Sequence, residues 1–291
     1  MANQMAITAI TSGAKRAPLV LRGDLISAVR QAFEWGYDAL EIHIIDARDF
    51  PLQMIKDALR QYGVRISAIV TGQIYTRRNR CITSPDAENR QAAMDEVRAY
   101  IDIAAALETT DGIVIGWVKG NRPESNPEEF DRLLAGQLRA LGEYAAAKGQ
   151  RILIEVINRY ETNLFNTAAE LGAFIDKWDL PNCWIHLDTF HMNIDEADMA
   201  EAVRTAGARL GYLHIADSNR LYPGAGHLNF APIFQALREI HYPGTVSLEC
   251  IPEPDSMTAG VKGIEFLKKW FRFCPSSVSA HFCKHFVVGR R

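Results

Sequence analysis

Short apolar runs recur along the chain, each too brief and too uniformly hydrophobic to be one face of an amphipathic helix. They are Met5–Thr11, Ala39–Ile44, Val64–Val70, Gly112–Gly116, Arg151–Ile157, Trp184–Asp188, Gly211–Ala216 and Thr245–Cys250. Rich in Ile, Val and Leu, they read as strands buried on both faces. The stretches between them have helical spacing and helix punctuation. Asp24–Trp35 opens on an Asp that can cap it and stops at Gly36. Leu52–Tyr62 stops at Gly63, and Asp86–Leu107 repeats Ala, Met, Val, Ile and Leu at helical intervals. Pro127–Lys148 begins with a first-turn Pro and ends at Gly149. Thr167–Trp178 starts with a Thr followed three residues later by Glu170, a capping-box pattern. Asp195–Ala206, Phe230–Ile240 and Ser256–Phe271 complete the series.

Strict alternation of strand and helix implies a parallel sheet covered by helices. Eight such units predict an α/β fold closed as a single (β/α)8 TIM barrel. An open doubly wound sheet would carry a GxGxxG turn after its first strand, and the segment TSGAKRAP is not one. The barrel is expected over residues 1–271. Residues 272–291, with two Cys and two His but no CxxC pair, are expected to be an extension of unknown role in which metal binding is not anticipated.

Composition narrows the function. The chain has 291 residues, of which 48% are apolar and 23% charged, with a formal net charge of −3. Nothing here supplies the basic face that a nucleic-acid partner needs, so a small-molecule partner is expected. The five cysteines are scattered and odd in number, which points to a reducing cytoplasm. The N-terminal MANQMAITAITSGAKRAP lacks the basic-then-apolar order of a secretory leader. No apolar run approaches the roughly 18 residues that would suggest a membrane span.

Active sites of such barrels lie at the C-terminal ends of the strands. The fifth to eighth runs carry Glu155, Asp188, His214 and Glu249 there. Each has an ordinary explanation alone: a strand-end ion pair for the glutamates, a helix cap for Asp188, a hydrogen-bonded core imidazole for His214. A carboxylate inside an apolar run is costly unless paired or metal-bound, and four ligand-type residues ending four successive strands point to one metal site. Three oxygen donors and one imidazole suit a single divalent ion, Mn²⁺ first, with Co²⁺ or Mg²⁺ as alternatives, better than structural Zn²⁺. Such an ion polarises an α-hydroxy carbonyl. Two glutamates on separate strands, Glu155 and Glu249, are then the candidates to remove and return a proton beside that carbonyl, doubling as ligands.

The segments EVINRYETNLFNT (Glu155–Thr167), LDTFHMNIDE (Leu187–Glu196), LHIADSNRLYPGAGHLNF (Leu213–Phe230) and SLEC resemble the ketose 3-epimerases that act on tagatose and psicose (allulose). These belong to the xylose-isomerase-like group of barrel sugar epimerases and isomerases. The likeness is strong over about residues 152–249 and diffuse before them. It implies that Glu155, Asp188, His214 and Glu249 hold the metal and that Glu155 and Glu249 exchange the proton. It also implies that Glu161, His191 and Arg220 hold the oxygens of a small sugar, and that the protein is a homo-oligomer, dimer or tetramer. Two departures bear on substrate. Asp217 stands where the ketose 3-epimerases usually have Glu, and the fourth strand runs into GWVKGNRP rather than a Gly-Pro-rich loop. The HIAD…NR…PG.G form is similar to relatives that act on keto-glycosides, so a free ketose, a sugar acid and a keto-glycoside all remain open.

Other readings are weighed against this one. An aldose–ketose isomerase would use the same enediolate, but classical xylose isomerases add a second metal with extra carboxylates and a Lys, and no such cluster stands out in the sequence. A multi-zinc DNA-repair nuclease would need more histidines at strand ends. A non-catalytic sugar-binding barrel would not need an intact quartet. Lys119, Arg122 and Arg220 could meet an anionic group, and Pro223–Gly226 could offer backbone amides to a phosphate.

Overall fold

The computed structural model describes residues 3–271. The 272–291 extension and its Cys and His residues lie outside them. Among the described residues nine strands and ten α-helices follow one another as β1 (Gln4–Ile10), β2 (Leu21–Arg22), α1 (Leu25–Trp35), β3 (Ala39–His43), α2 (Leu52–Tyr62), β4 (Arg65–Val70), α3 (Gly72–Arg78) and α4 (Ala87–Leu107). Then come β5 (Gly112–Ile115), α5 (Pro127–Ala146), β6 (Ile152–Glu155), α6 (Ala168–Trp178), β7 (Cys183–Asp188) and α7 (Thr189–Asp195). The series ends with α8 (Met199–Ala206), β8 (Leu210–Ile215), α9 (Ala231–Glu239), β9 (Thr245–Leu248) and α10 (Ser256–Phe271).

Strands β1 and β3 to β9 pair in parallel, each with its successor, and β9 pairs back with β1. That closure makes an eight-stranded parallel barrel wrapped by helices, the expected (β/α)8 fold. The short β2 extends the sheet outward from the end of β1. The predicted caps form. Asp24 accepts from the amides of Ile26 and Ser27, and Gly36, at φ 86°, ends α1. Thr167 accepts from the Glu170 amide, but the Glu170 carboxylate reaches back to the amide of Asn166, one residue beyond a regular capping box.

One helix start differs. The stretch expected from Asp195 is two helices, and α8 begins only at Met199, because Asp198 accepts from Ala200 and Glu201. Asp195 ends α7 and pairs with Arg159. His191 therefore sits on α7 and not in a loop.

The barrel separates two kinds of interior. Ala68, Val70, Val114, Leu153 and Tyr212 form a small apolar cluster apart from the main one between sheet and helices. Towards the C-terminal mouth the inward positions become polar: Glu41, Ser67, His186, Asp188, His214 and Ser247 are all within 1% of fully buried.

Candidate active site

Alternation along each strand decides what enters the barrel. Asp188 ends β7, His214 is the penultimate residue of β8, Glu155 ends β6, and Glu249 directly follows β9. Ligand atoms from all four lie within 4.8 Å of one another. Asp188 and His214 are inaccessible, and Glu155 and Glu249 are 9% and 6% exposed. Asp188 also caps α7 through Oδ1, which accepts from the Phe190 amide at 2.8 Å. Its Oδ2 has no hydrogen-bond partner, and neither has His214 Nδ1. Two buried polar atoms without partners among the described residues, both turned to the same point as two further carboxylates, are placed to share a cation. The donor set, three carboxylates and one imidazole, fits a divalent metal ion.

The His214 ring is oriented from behind. Its Nε2 lies 2.9 Å from both oxygens of Glu41, the inward residue of β3, so the Nε2–H donates to that carboxylate. Nδ1 faces the quartet, 3.8 Å from Glu155 and 3.5 Å from Glu249, and, against the opposing effect of burial, Glu41 and Glu249 raise the ring's pKa well above the ordinary histidine range. An outer carboxylate that fixes a ligand imidazole is the usual support of a metal site. Glu41 also accepts from Tyr212 Oη at 3.0 Å. One layer deeper, His186 packs edge-on against His214 with ring centroids 4.1 Å apart. Burial holds its pKa well below the ordinary histidine range, so the ring is neutral.

Crowding of carboxylates sets the electrostatics. Burial, reinforced by Glu249, pushes the pKa of Glu155 up to about 8 in the metal-free protein. Burial and Glu249 raise Asp188 to about 6. Glu249 stays below the ordinary glutamate value: burial opposes ionisation there, but His214 and Arg220 outweigh it. Glu155 also needs Gly116, since a Cβ at that position would stand 2.6 Å from its Oε2.

The residues expected to hold substrate gather beside the cluster. His191, buried on α7, has Nδ1 2.6 Å from the amide Nδ2 of Asn158 and Nε2 3.7 Å from Asp188. Arg220 reaches Glu161 at 3.2 Å and Glu249 at 3.6 Å, with its guanidinium 4.6 Å from the centroid of the Phe190 ring. A cavity of about 510 Å³ opens over these groups and is lined by Glu155, His191, Arg220, Glu249, His43 and Trp117 among others.

Several sequence expectations meet a different environment. Lys119 is fully buried and donates to the Gly116 carbonyl at 3.2 Å, and burial pulls its pKa down to about 8. Arg122 is paired with Asp131 at 2.8 Å. The three cations therefore do not converge on one anion. The Pro223–Gly226 loop is not free for a phosphate either: Asp217 accepts from the amides of Gly224 and Leu228, which turns the loop inward on its own carboxylate. The sequence reading did not single out Glu41, which belongs to the polar mouth together with His43. Glu41 carries the signal used for Glu155, a charge inside an apolar run, and His43 follows it on the same face.

Fold and site together define a class: closed parallel barrels with a carboxylate–imidazole cluster, able to hold a metal, at the C-terminal mouth. The chain belongs to the xylose isomerase-like TIM barrel family, whose model matches residues 29–270. It is 38% identical over 223 residues to the L-ribulose 3-epimerase of Methylomonas sp. strain DH-1, covering 76% of this chain and 77% of that protein. The crystal structure of a D-allulose 3-epimerase from Methylomonas sp. superposes with a TM-score of 0.80 at 31% identity, covering 92% of this chain and 98% of the other. The 3-dehydro-D-guloside 4-epimerase of Escherichia coli K12 is 28% identical over 236 residues, 78% of this chain and 87% of that protein. The relatives are epimerases, which are isomerases.

Proposed function

We propose that the chain is a metal-dependent sugar epimerase that removes a proton from the carbon beside a carbonyl and returns it from the opposite face. The observation that carries this reading is the convergence of Glu155 and Glu249 on one cavity that also holds the quartet. Glu155, Asp188, His214 and Glu249 would hold the ion, Mn²⁺ as first choice, which when bound supplies a Lewis acid for the charge that develops on substrate oxygens. One glutamate takes the proton through a carboxylate oxygen and the other donates one, and reversing the reaction exchanges the roles. Arg220 and His191 hold the carbonyl-side oxygens, and Glu161 fixes Arg220. Burial of the cluster keeps bulk water from the carbanion-like intermediate.

The relatives favour a ketose inverted at C3. Asp217 and its self-capped loop leave a keto-glycoside or sugar acid as the second substrate reading, because the departure from the ketose-epimerase pattern falls in the segment that delivers Arg220. The free thiols of Cys81, Cys183 and Cys250 accord with a reducing cytoplasm as the place of action.

The test is NMR of a ketose and keto-glycoside panel in D₂O, with Mn²⁺ and with EDTA. Metal-dependent deuterium incorporation at a carbon beside the carbonyl is expected, and the labelled position separates a C3 epimerase from an aldose–ketose isomerase. Absence of exchange across the panel would turn the reading towards a sugar-binding barrel.

A further inference from the structure

The mouth of the barrel holds two further ligand-type side chains that the proton transfer does not use. Glu41 and His43 are two residues apart on β3 and so face the same way, into the barrel. His43 Nε2 lies 3.5 Å from Glu41 Oε1 and 3.7 Å from Glu249 Oε1. Ligand atoms of the three residues all fall within 4.8 Å of one another. These separations are too long for direct hydrogen bonds. They match a shared central atom instead: ligands about 2.1 Å from one ion stand about 3.4 Å apart in a tetrahedron.

His43 provides the independent sign. Its side chain is 7% exposed, and its Nε2 has no hydrogen-bond partner. An imidazole nitrogen that is buried, aimed between two carboxylates and hydrogen-bonded to neither is placed as a ligand. His43 lines the active-site cavity, so an ion can reach it from there.

The carboxylates have capacity to spare. Glu249 turns Oε2 towards His214 and Arg220 but Oε1 towards His43. It can therefore serve the quartet through one oxygen and His43's neighbourhood through the other. Glu41 uses its oxygens for His214 Nε2 and Tyr212 Oη, and each carboxylate oxygen has two lone pairs. Charge does not oppose a further cation. Glu41, Glu155, Glu161, Asp188 and Glu249 surround the mouth, while His214, Lys119 and Arg220 are basic side chains that act on Glu155 there. One divalent ion would leave carboxylate charge in excess.

We infer that Glu41, His43 and Glu249 form a second divalent-cation site, bridged to the quartet through Glu249. It rests on the proposed metal-dependent reading only in sharing that residue. Two carboxylates and one imidazole suit Mn²⁺, Co²⁺ or Zn²⁺.

Equilibrium dialysis of the full chain against Mn²⁺, followed by elemental analysis, should give about two ions per chain, a pair of the kind found in two-metal sites. His43→Ala should lose the weaker equivalent and keep the tighter one. Low-temperature EPR needs no variant: two Mn²⁺ ions that share the Glu249 carboxylate are magnetically coupled, so the hyperfine-split spectrum of the first equivalent should broaden as the second binds. Saturation at one ion with an uncoupled spectrum, as when a water bridges these groups, overturns the site. So does a second equivalent that survives His43→Ala. Deuterium exchange separates the two proposals: exchange by a one-ion protein leaves the epimerase standing and removes the second site, whereas two coupled ions without exchange in any ketose does the reverse.

Discussion

Glu41 and His214 form a buried carboxylate–imidazole pair across the barrel, with the ring nitrogen 2.9 Å from both carboxylate oxygens. The pair fixes which nitrogen of His214 faces the quartet. Glu41→Gln keeps the volume but offers a single acceptor oxygen and no charge, so the ring loses both its anchor and part of its basicity. Metal affinity, measured by chelator competition, should fall about 10- to 100-fold. An unchanged affinity would mean that the pair is only packing.

Glu155→Gln and Glu249→Gln should each lower turnover by about 10²–10⁴-fold or more, the range of a lost general acid or base. Single-turnover exchange in D₂O gives the sharper readout, because each variant keeps one carboxylate. Near-normal epimerisation by either variant would sink the two-base mechanism.

The metal-free site should show opposite pH trends in stability and in metal uptake. Glu155 titrates near 8 when folded against an ordinary 4.5, because it is buried beside Glu249. Between those values the folded chain holds a proton that the unfolded chain has lost, so this group's contribution to stability falls as pH rises through the window. Metal binding needs the ionised carboxylate and expels that proton, so affinity should climb with pH up to at least about 8. Calorimetry in buffers of different ionisation enthalpy at pH 7 should show proton release on Mn²⁺ binding. Proton uptake, or none, would contradict the assignment.

The quartet was legible in the sequence because Glu155, Asp188, His214 and Glu249 each sit at the end of an apolar run. The barrel was legible because the runs are continuous and their helices are capped by residues such as Asp24 and Gly36. The layer behind the quartet was harder to see. Glu41 and His43 stand on a strand outside the four that end in the quartet, and the inward face of β3 becomes evident only when its register against β1 and β4 is known. The polar helix α3, just seven residues long, has no side-chain cap, so it does not announce itself, whereas α7 is capped by Asp188, a residue with a second reading as a ligand.

Arg220 is held from three sides by Glu161, Glu249 and the face of Phe190. Arg220→Ala should raise KM by about tenfold or more while changing kcat less, since a charged hydrogen bond to substrate contributes about 1.5–3 kcal/mol. Arg220→Lys should not restore KM, because an ammonium cannot stack on Phe190 and reach two carboxylates as a planar fork does. Full recovery by Lys would show that charge alone matters at this position.

Gly116 and Glu155 give a test in which function and folding separate. A methyl group at residue 116 would meet Glu155 Oε2 at 2.6 Å, and its next neighbour, Ile157 Cδ1, is at an ordinary 3.7 Å. The clash is with the far end of a side chain, so Gly116→Ala should fold with a nearly unchanged Tm. The carboxylate must move away, however, and Glu155 is both a proposed ligand and a proposed proton carrier. A displacement of about 1 Å is enough to cost about 10²-fold in rate. Metal affinity and kcat/KM should therefore drop together in a stable protein. A variant with wild-type kcat/KM would show that Glu155 can be displaced without consequence, which the proposed mechanism does not allow.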